Sequence, residues 1–412
     1  MTDVSRFLEV QFGLHSSVSD FSTTSGTATN ILCTSAAVLP RARNVIERPL
    51  YSPDGRKFPR IHGAKDIGAI NISMEMRGMS NSTGGAVTTY NVMEQARMLD
   101  SLFGTTVANI SGAATTVTGG TPGSGTLTVT SGTNIADGDM VLFRVGTSPG
   151  TVVMREVVSG GGTGTLTFDA IYTGTPLNGA TVYRAARWNM TTSTTHHTHG
   201  FFKAEGESWA RVYAGCFGES MTLTIPDAGL VTFDSTWMPT DWSDTAEDAL
   251  TFTAPTAGQP TVSSGCDFRI AGTAFFLKSA KVTMTNGGIV RGTVTGPNGA
   301  QGYVAGNKMA MIEGELYIGD GTSPSAGELV DDSGTPSLDS ILGSGDDVGD
   351  GVTQRDISLA VGGAENAAFY VRIPSADIRP NGVVDSGGLT VLRFTAVATH
   401  PSSGTPFRLG VF

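Results

Sequence analysis

The sequence predicts a mainly β protein with one α-helix and a small inserted β-barrel, and three observations carry that reading. Of 412 residues, 55 are Gly, set among abundant Thr, Ser and Val, while only 15% are charged. Strands joined by tight turns use that mixture, whereas helices are richer in Glu, Lys and Leu. Several long segments alternate apolar and polar residues with period two, as half-buried strands do. Only one segment has the three-and-four spacing of a strong amphipathic helix. The length predicts two or three domains with a sizeable core.

Residues 1–66 form an N-terminal region that ends in a basic extended arm. Pro40, Pro49, Pro53 and Pro59 are spaced to forbid a helix there and to favour an extended, loop-like path. In "IGAINISMEMRG", Ile70, Ile72, Met74 and Met76 share one face, and Ile67, Ala69, Asn71 and Ser73 the other. The segment "YNVMEQARMLDSLFG" predicts a helix over 91–103, with Asn91 and Glu94 at capping-box spacing and Gly104 as its stop. Residues 105–185 switch to short strands between Gly-rich turns, predicting a small closed or nearly closed β domain inserted with its ends close together. The main sheet, begun at 67–104, resumes over 186–412. There "ESMTLTIPDAGLVTFDSTW" sets Met221, Leu223 and Ile225 against Thr222 and Thr224, and "AKVTMTNGGIVRGTV" contains Asn286-Gly287, which favours a primed hairpin turn. "NKMAMIEGELYIGDG" and "LTVLRFTAVATH" are further strands. Residues 320–354, rich in Asp, Gly and Ser, predict an acidic loop with at most a short turn at "SLDSILG".

The net charge of −11 is unevenly placed. Between Lys308 and Arg355 there is no cation, while Glu313, Glu315, Asp320, Glu328, Asp331, Asp332, Asp339, Asp346, Asp347 and Asp350 are all acidic. Conversely, Arg41, Arg43, Arg48, Arg56, Lys57, Arg60 and Lys65 face only Glu47 and Asp54. A basic arm and an acidic loop on one chain predict electrostatic contact between subunits, with Asp331, Asp332 and Asp339 as acidic partners. Tyr51 and Phe58 lie within the arm as stacking residues would, but no nucleic-acid-binding fold signature accompanies them. There is no apolar run of eighteen or more and no signal-peptide core, so the expectation is a chain made and folded in the cytoplasm without membrane anchoring. Cys33, Cys216 and Cys266 are odd in number and far apart, predicting reduced thiols.

Candidate chemistry is sparse. "TTSTTHHTHGFF" holds His196, His197 and His199, half the histidines of the chain. Strand alternation puts only His197 and His199 on one face, and no Cys-x-x-Cys or His-Glu-x-x-His pattern adds ligands, so they are weak metal candidates on a polar strand. Glu313 and Glu315 share a strand face about 6.6 Å apart at Cα, a spacing open to acid–base work. With no aromatic cluster and no opposing acid predicted, they read as carboxylates facing solvent or a lumen. "GSGDDVGDG" departs from the calcium-loop spacing through Asp346, Asp347 and Asp350. The expectation is no enzyme, no metal and no cofactor.

In order, the "EVQFG" start, "IHGAKDIGAINISMEMRG", the helix "NVMEQARMLDSLFG", "YAGCFGESMTLTIPDAGLVTFDSTW", "KVTMTNGGIV", "NKMAMIEGELYIGDG" and "YVRIPSADIRPNGVVDSGGLTVLRFTAVA" resemble the tail tube proteins (major tail proteins) of long-tailed bacteriophages. The resemblance covers about two-thirds of the chain, on the order of its Gly-punctuated strands and not on one motif. It implies a β-sandwich tail-tube fold with a flanking helix, assembled into rings, usually hexameric, that stack into a tube for DNA. The implied partners are further copies of the chain, the tape measure, baseplate and tail terminator proteins, and a sheath if the tail contracts. The implied place is the virion tail, with viral DNA passing through the lumen without sequence-specific binding. The alternative is another β-rich phage structural protein, a fibre, baseplate or adhesin component; neither repeats nor a coiled-coil segment favour a fibre.

Overall fold

A computed structural model describes residues 9–14, 28–37, 42–46, 61–66, 68–78, 95–104, 112–190, 200–206, 209–245, 259–292, 300–304, 306–319, 354–364, 366–386, 388–399 and 405–412. The protein is mainly β, and every described strand pair is antiparallel. Before the helix come β1 (Glu9–Leu14), β2 (Ala28–Ile31), β3 (Cys33–Ala37), β4 (Ala42–Ile46), β5 (Ile61–Asp66) and β6 (Ile70–Glu75); α1 is Ala96–Phe103. Next are β7 (Gly112–Thr121), β8 (Thr126–Val129), β9 (Met140–Val145), β10 (Thr151–Ser159), β11 (Thr165–Phe168) and β12 (Thr181–Arg184). The rest are β13 (Ala186–Asn189), β14 (Gly200–Gly206), β15 (Trp209–Ile225), β16 (Thr232–Met238), β17 (Asp241–Thr245), β18 (Asp267–Ile270), β19 (Thr273–Phe275), β20 (Leu277–Thr285), β21 (Ile289–Gly292), β22 (Ala300–Val304), β23 (Met309–Tyr317), β24 (Arg355–Val361), β25 (Phe369–Asp385), β26 (Thr390–Ala398) and β27 (Arg408–Val411).

Period-two alternation decides which face each strand buries. Eight strands pair in the order β3–β6–β16–β15–β20–β23–β26–β25. On one face Ile70, Ile72 and Met74, then Phe233 and Trp237, Met221 and Leu223, Val282 and Met284, Ile312 and Leu316, and Leu392 and Phe394 are buried in one core. The two 17-residue strands carry the chain into further pairings. β15 pairs with β14 and β17 through Ala210–Ala214, then with β16 and β20; β25 pairs with β24 and β27 at its start, then with β26 from Ala376. Register shifts between Gly218 and Ser220 and between Pro380 and Gly382 bend both strands, as bulges do.

The predicted helix is present, beginning at Ala96 with Gln95 at its N-cap and no side-chain cap. Asn91 and Glu94, the expected capping box, lie outside the described residues. Met98, Leu99, Leu102 and Phe103 are buried in the main core, and Gly104 closes the helix in the left-handed conformation, φ 73°, its N–H donating to Asp100 O. That φ strains a residue with a Cβ, which is why Gly stands there. Trp188 Nε1 donates to Asp100 Oδ1 at 2.8 Å, and Gln95 Nε2 to Glu75 O at 2.7 Å.

Asn286-Gly287 is not the turn of a hairpin. β20 pairs with β15 and β23, while β21 pairs with β22. Asn286 is fully buried, and its Nδ2 donates to Leu102 O and Gly218 O, both at 2.7 Å. A carbonyl left over by the last helical turn outbid the local turn preference for this side chain. Within the arm, β4 and β5 pair as a two-stranded ribbon, more regular than the loop-like path expected. The four prolines fall outside those two strands, so none removes a ladder donor. All three cysteines are free, Cys216 buried and the other two half-buried.

The inserted segment is a closed six-stranded barrel, β10–β11–β8–β7–β12–β9, around Val117, Leu127, Val141, Phe143, Val157, Leu166, Tyr172 and Val182. It is docked, not merely tethered. Met140, Leu142, Met154 and Ala185 pack against Ala360, Ala368, Tyr370 and Phe412 in a separate apolar seam. Gly410 permits the approach, since a Cβ there would run into Met140 Sδ. No described helix is long and apolar enough to cross a membrane.

Candidate functional site

Two constellations stand out, one exposed and one buried. The exposed one is the polar side of the eight-strand sheet. Alternation that buries the apolar set turns Asn71, Ser73 and Glu75 on β6, Asp234 and Thr236 on β16, Thr222 and Thr224 on β15, Lys281 and Thr283 on β20, Glu313 and Glu315 on β23, Arg393 and Thr395 on β26, and Asp377 and Arg379 on β25 to the other side. Glu313 and Glu315 do share that face. Lys281 stands opposite Glu313, and Glu315 opposite Arg393, whose Nε donates to Glu315 Oε1 at 2.9 Å. Ser386 Oγ also donates to Glu315 Oε2, at 3.3 Å. Arg379 Nη2 meets Asp377 Oδ2 at 2.6 Å, and Arg77 Nη2 meets Glu75 Oε2 at 2.8 Å. A hollow of about 320 Å³ lies here, lined by Thr224, Lys281, Glu313, Glu315, Asn381 and Arg393. Of its two carboxylates, Glu315 is engaged by Arg393, while Glu313 faces Lys281 across the strand register.

The buried constellation joins barrel to sheet. Asp139, Glu156 and Asp169 on the barrel, each no more than 2% exposed, face arginines of the sheet. Glu156 Oε1 accepts from Arg372 Nη1 at 2.8 Å and is in contact with Arg408 Nη1. Arg187 Nη1 lies 3.5 Å from Asp139, and the Tyr370 hydroxyl donates to Asp169 Oδ2. Arg372 also holds Asp356 at 2.9 Å. In the reverse sense, Arg155 of the barrel reaches Asp267 at 2.9 Å, which Arg269 holds from the other side at 3.0 Å. Burial pushes the Glu156 carboxyl up to about 7, against the opposing pull of Arg372 and Arg408. Burial also raises Asp356, and it raises Tyr370 well above the usual phenol range. Buried pairs of this kind add little net stability, but removing one partner is costly because it strands a charge. Chemically, the cluster is a geometric lock. A cleft of about 520 Å³ opens beside it, lined by Tyr172, Cys266 and the Arg155–Asp267–Arg269 group.

His196, His197 and His199 lie outside the described residues, as do Arg41, Arg48, Arg56, Lys57, Arg60, Asp331, Asp332 and Asp339. Of the arm, Arg43 and Lys65 stand opposite each other in the β4–β5 register. Among the described residues no three His, Cys, Asp or Glu side chains converge as a metal site would require. The buried lock escaped sequence reasoning, although a signal was there: "VVMREVVS" sets Arg155 and Glu156 inside an apolar run, and "FYVRIP" does the same with Arg372. Charges in such a run must find partners. No protein-family model matches the chain, and no curated protein is significantly similar to it.

Proposed function

We propose that the chain is a structural protein of a phage virion, a tail tube subunit that assembles into stacked rings, hexameric as the resemblance implies, forming the conduit for genome delivery. One observation carries the reading: an eight-strand antiparallel sheet whose apolar side is core, whose other side is a wide polar surface, and whose last strand has an open edge. Beyond Ala376, β25 pairs with β26 on one side and with no described strand on the other. An open edge invites another strand, and Pro380, which lacks an N–H, confines pairing to either side of itself and so restricts its register. Neighbouring copies that continue the sheet would close the polar faces into a bore. On this reading the fold is the β-sandwich of tail tubes, the barrel points away from the bore, and the polar face is the lumen. The barrel docks where β25 begins, at Tyr370 and Arg372, while the polar face extends along its later half.

The role is structural, without catalysis or cofactor. Assembly takes place in the host cytoplasm and the product resides in the virion tail. Its partners are copies of itself, the tape measure, baseplate and tail terminator proteins, and a sheath where the tail contracts. Negative-stain electron microscopy of the purified chain at high concentration tests this: rings or hollow tubes are expected. A chain that stays monomeric at every concentration, even with tail initiator components present, contradicts it.

A further inference from the structure

The polar face carries Arg77, Lys281, Arg379 and Arg393 among Glu75, Asp234, Glu313, Glu315 and Asp377, and Lys278 reaches its rim, donating to the Ser386 Oγ that in turn donates to Glu315. Three of the cations, Lys281 on β20, Arg393 on β26 and Arg379 on β25, fall within the four-strand run β20–β23–β26–β25, Lys281 and Arg393 lining the hollow with Asn381. Neighbouring strands lie roughly 4.8 Å apart, so this group spans roughly 14 Å. Several phosphates of a nucleic acid fit along that span, since duplex DNA carries a charge about every 1.7 Å of its axis. Yet both arginines are held by a carboxylate, Arg393 by Glu315 and Arg379 by Asp377, while Lys281 stands opposite Glu313 in the strand register. Both arginines lie where phosphate could reach them, Arg379 being 71% exposed and Arg393 53%.

We infer that this face is a masked polyanion-binding surface: Glu315 and Asp377 occupy, and Glu313 stands opposite, cations that would otherwise hold duplex DNA by its phosphates. The inference rests on the tail-tube reading for its biological sense, because a conduit must pass DNA without retaining it. Its physics is independent of assembly. Repulsion by a strongly acidic wall is not required; local compensation of Arg393 and Arg379 is enough to suppress counterion release when phosphate approaches. The same three cations, unmasked, form a site for any phosphate backbone.

The test is fluorescence anisotropy of a labelled 30-base-pair duplex with the unassembled, dilute chain. The parent is expected to show no binding at 50 mM salt. Glu313→Gln/Glu315→Gln/Asp377→Asn is expected to bind, with log affinity falling against log salt at a slope of about −2.7 for three phosphate contacts. Glu315→Gln/Asp377→Asn, which alters fewer positions and guards against misfolding of the triple variant, is expected to give a slope of about −1.8. Adding Arg379→Gln and Arg393→Gln to the triple variant should abolish the gain. Binding by the parent, no gain in folded variants, or a gain that survives loss of both arginines overturns the inference. If the gain appears while microscopy finds no tubes, the masked surface stands and the tail-tube reading falls.

Discussion

Asn286 shows how one side chain can look local in sequence and be tertiary in structure. Followed by Gly, it signals a turn; in the fold its amide joins the last turn of α1 to the bulge of β15. Nothing within ten residues announces Leu102 or Gly218 as its partners, so its role was not legible from sequence. Asn286→Ala orphans two buried carbonyls, each costing about 1–3 kcal/mol. Urea unfolding is expected to show a loss of at least about 2 kcal/mol with an unchanged denaturant slope; a loss below about 0.5 kcal/mol would show that water or relaxation replaces the amide. In contrast, Ile70, Ile72 and Met74 fall inward as alternation foretold, because period two is set by the backbone itself.

The barrel was legible as an element, from its short strands and Gly-rich turns, but its docking was not. Which carboxylate meets which arginine depends on residues some 200 positions apart, as with Glu156 and Arg372. Deleting 106–184 uncovers Tyr370 and Phe412 and leaves Arg372 and Arg408 without Glu156. Recovery of soluble protein is expected to fall, and to return when Tyr370→Ser and Phe412→Ser are added; full recovery of the bare deletion would mean the joint is dispensable. Glu156 also makes the joint respond to pH. Its carboxyl is raised from 4.5 to about 7, so the folded state holds the proton more tightly than the unfolded chain. Stability from this group is therefore fully present below about 4.5 and lost as the pH rises through about 7. The stability difference between the parent and Glu156→Gln should shift by on the order of 3 kcal/mol across that window, with the parent relatively weaker at high pH. Calorimetry at pH 4.5, 6 and 8 reads this, and a difference flat with pH contradicts it.

At the scale of the whole molecule, the sequence foretold a β-rich chain with one helix, a closed barrel and a two-faced sheet, because composition and periodicity encode those directly. Pairing order, the two strands that change partners and the buried lock depend on long-range contacts that periodicity does not carry. Charge asymmetry bears on assembly. If Arg56, Lys57 and Arg60 seat against Asp331, Asp332 and Asp339 of a neighbouring subunit, changing all three cations to Glu is expected to block polymerisation while the chain stays folded. Reversing the three aspartates to Lys should then restore it. Exposed pairs contribute about 0–1 kcal/mol each and weaken with salt, so single changes should do little. Light scattering distinguishes the outcomes, and undiminished polymerisation of the triple variant excludes an electrostatic clamp. The central claim, that copies of this chain close their polar sheet faces into a bore, is tested most directly by a helical reconstruction of the assembled particle from electron cryomicroscopy. The expected map has a hollow bore lined by Thr222, Thr224, Lys281, Glu313 and Arg393, with the barrels on the outside. A bore lined by the barrels, or particles with no bore, would contradict it.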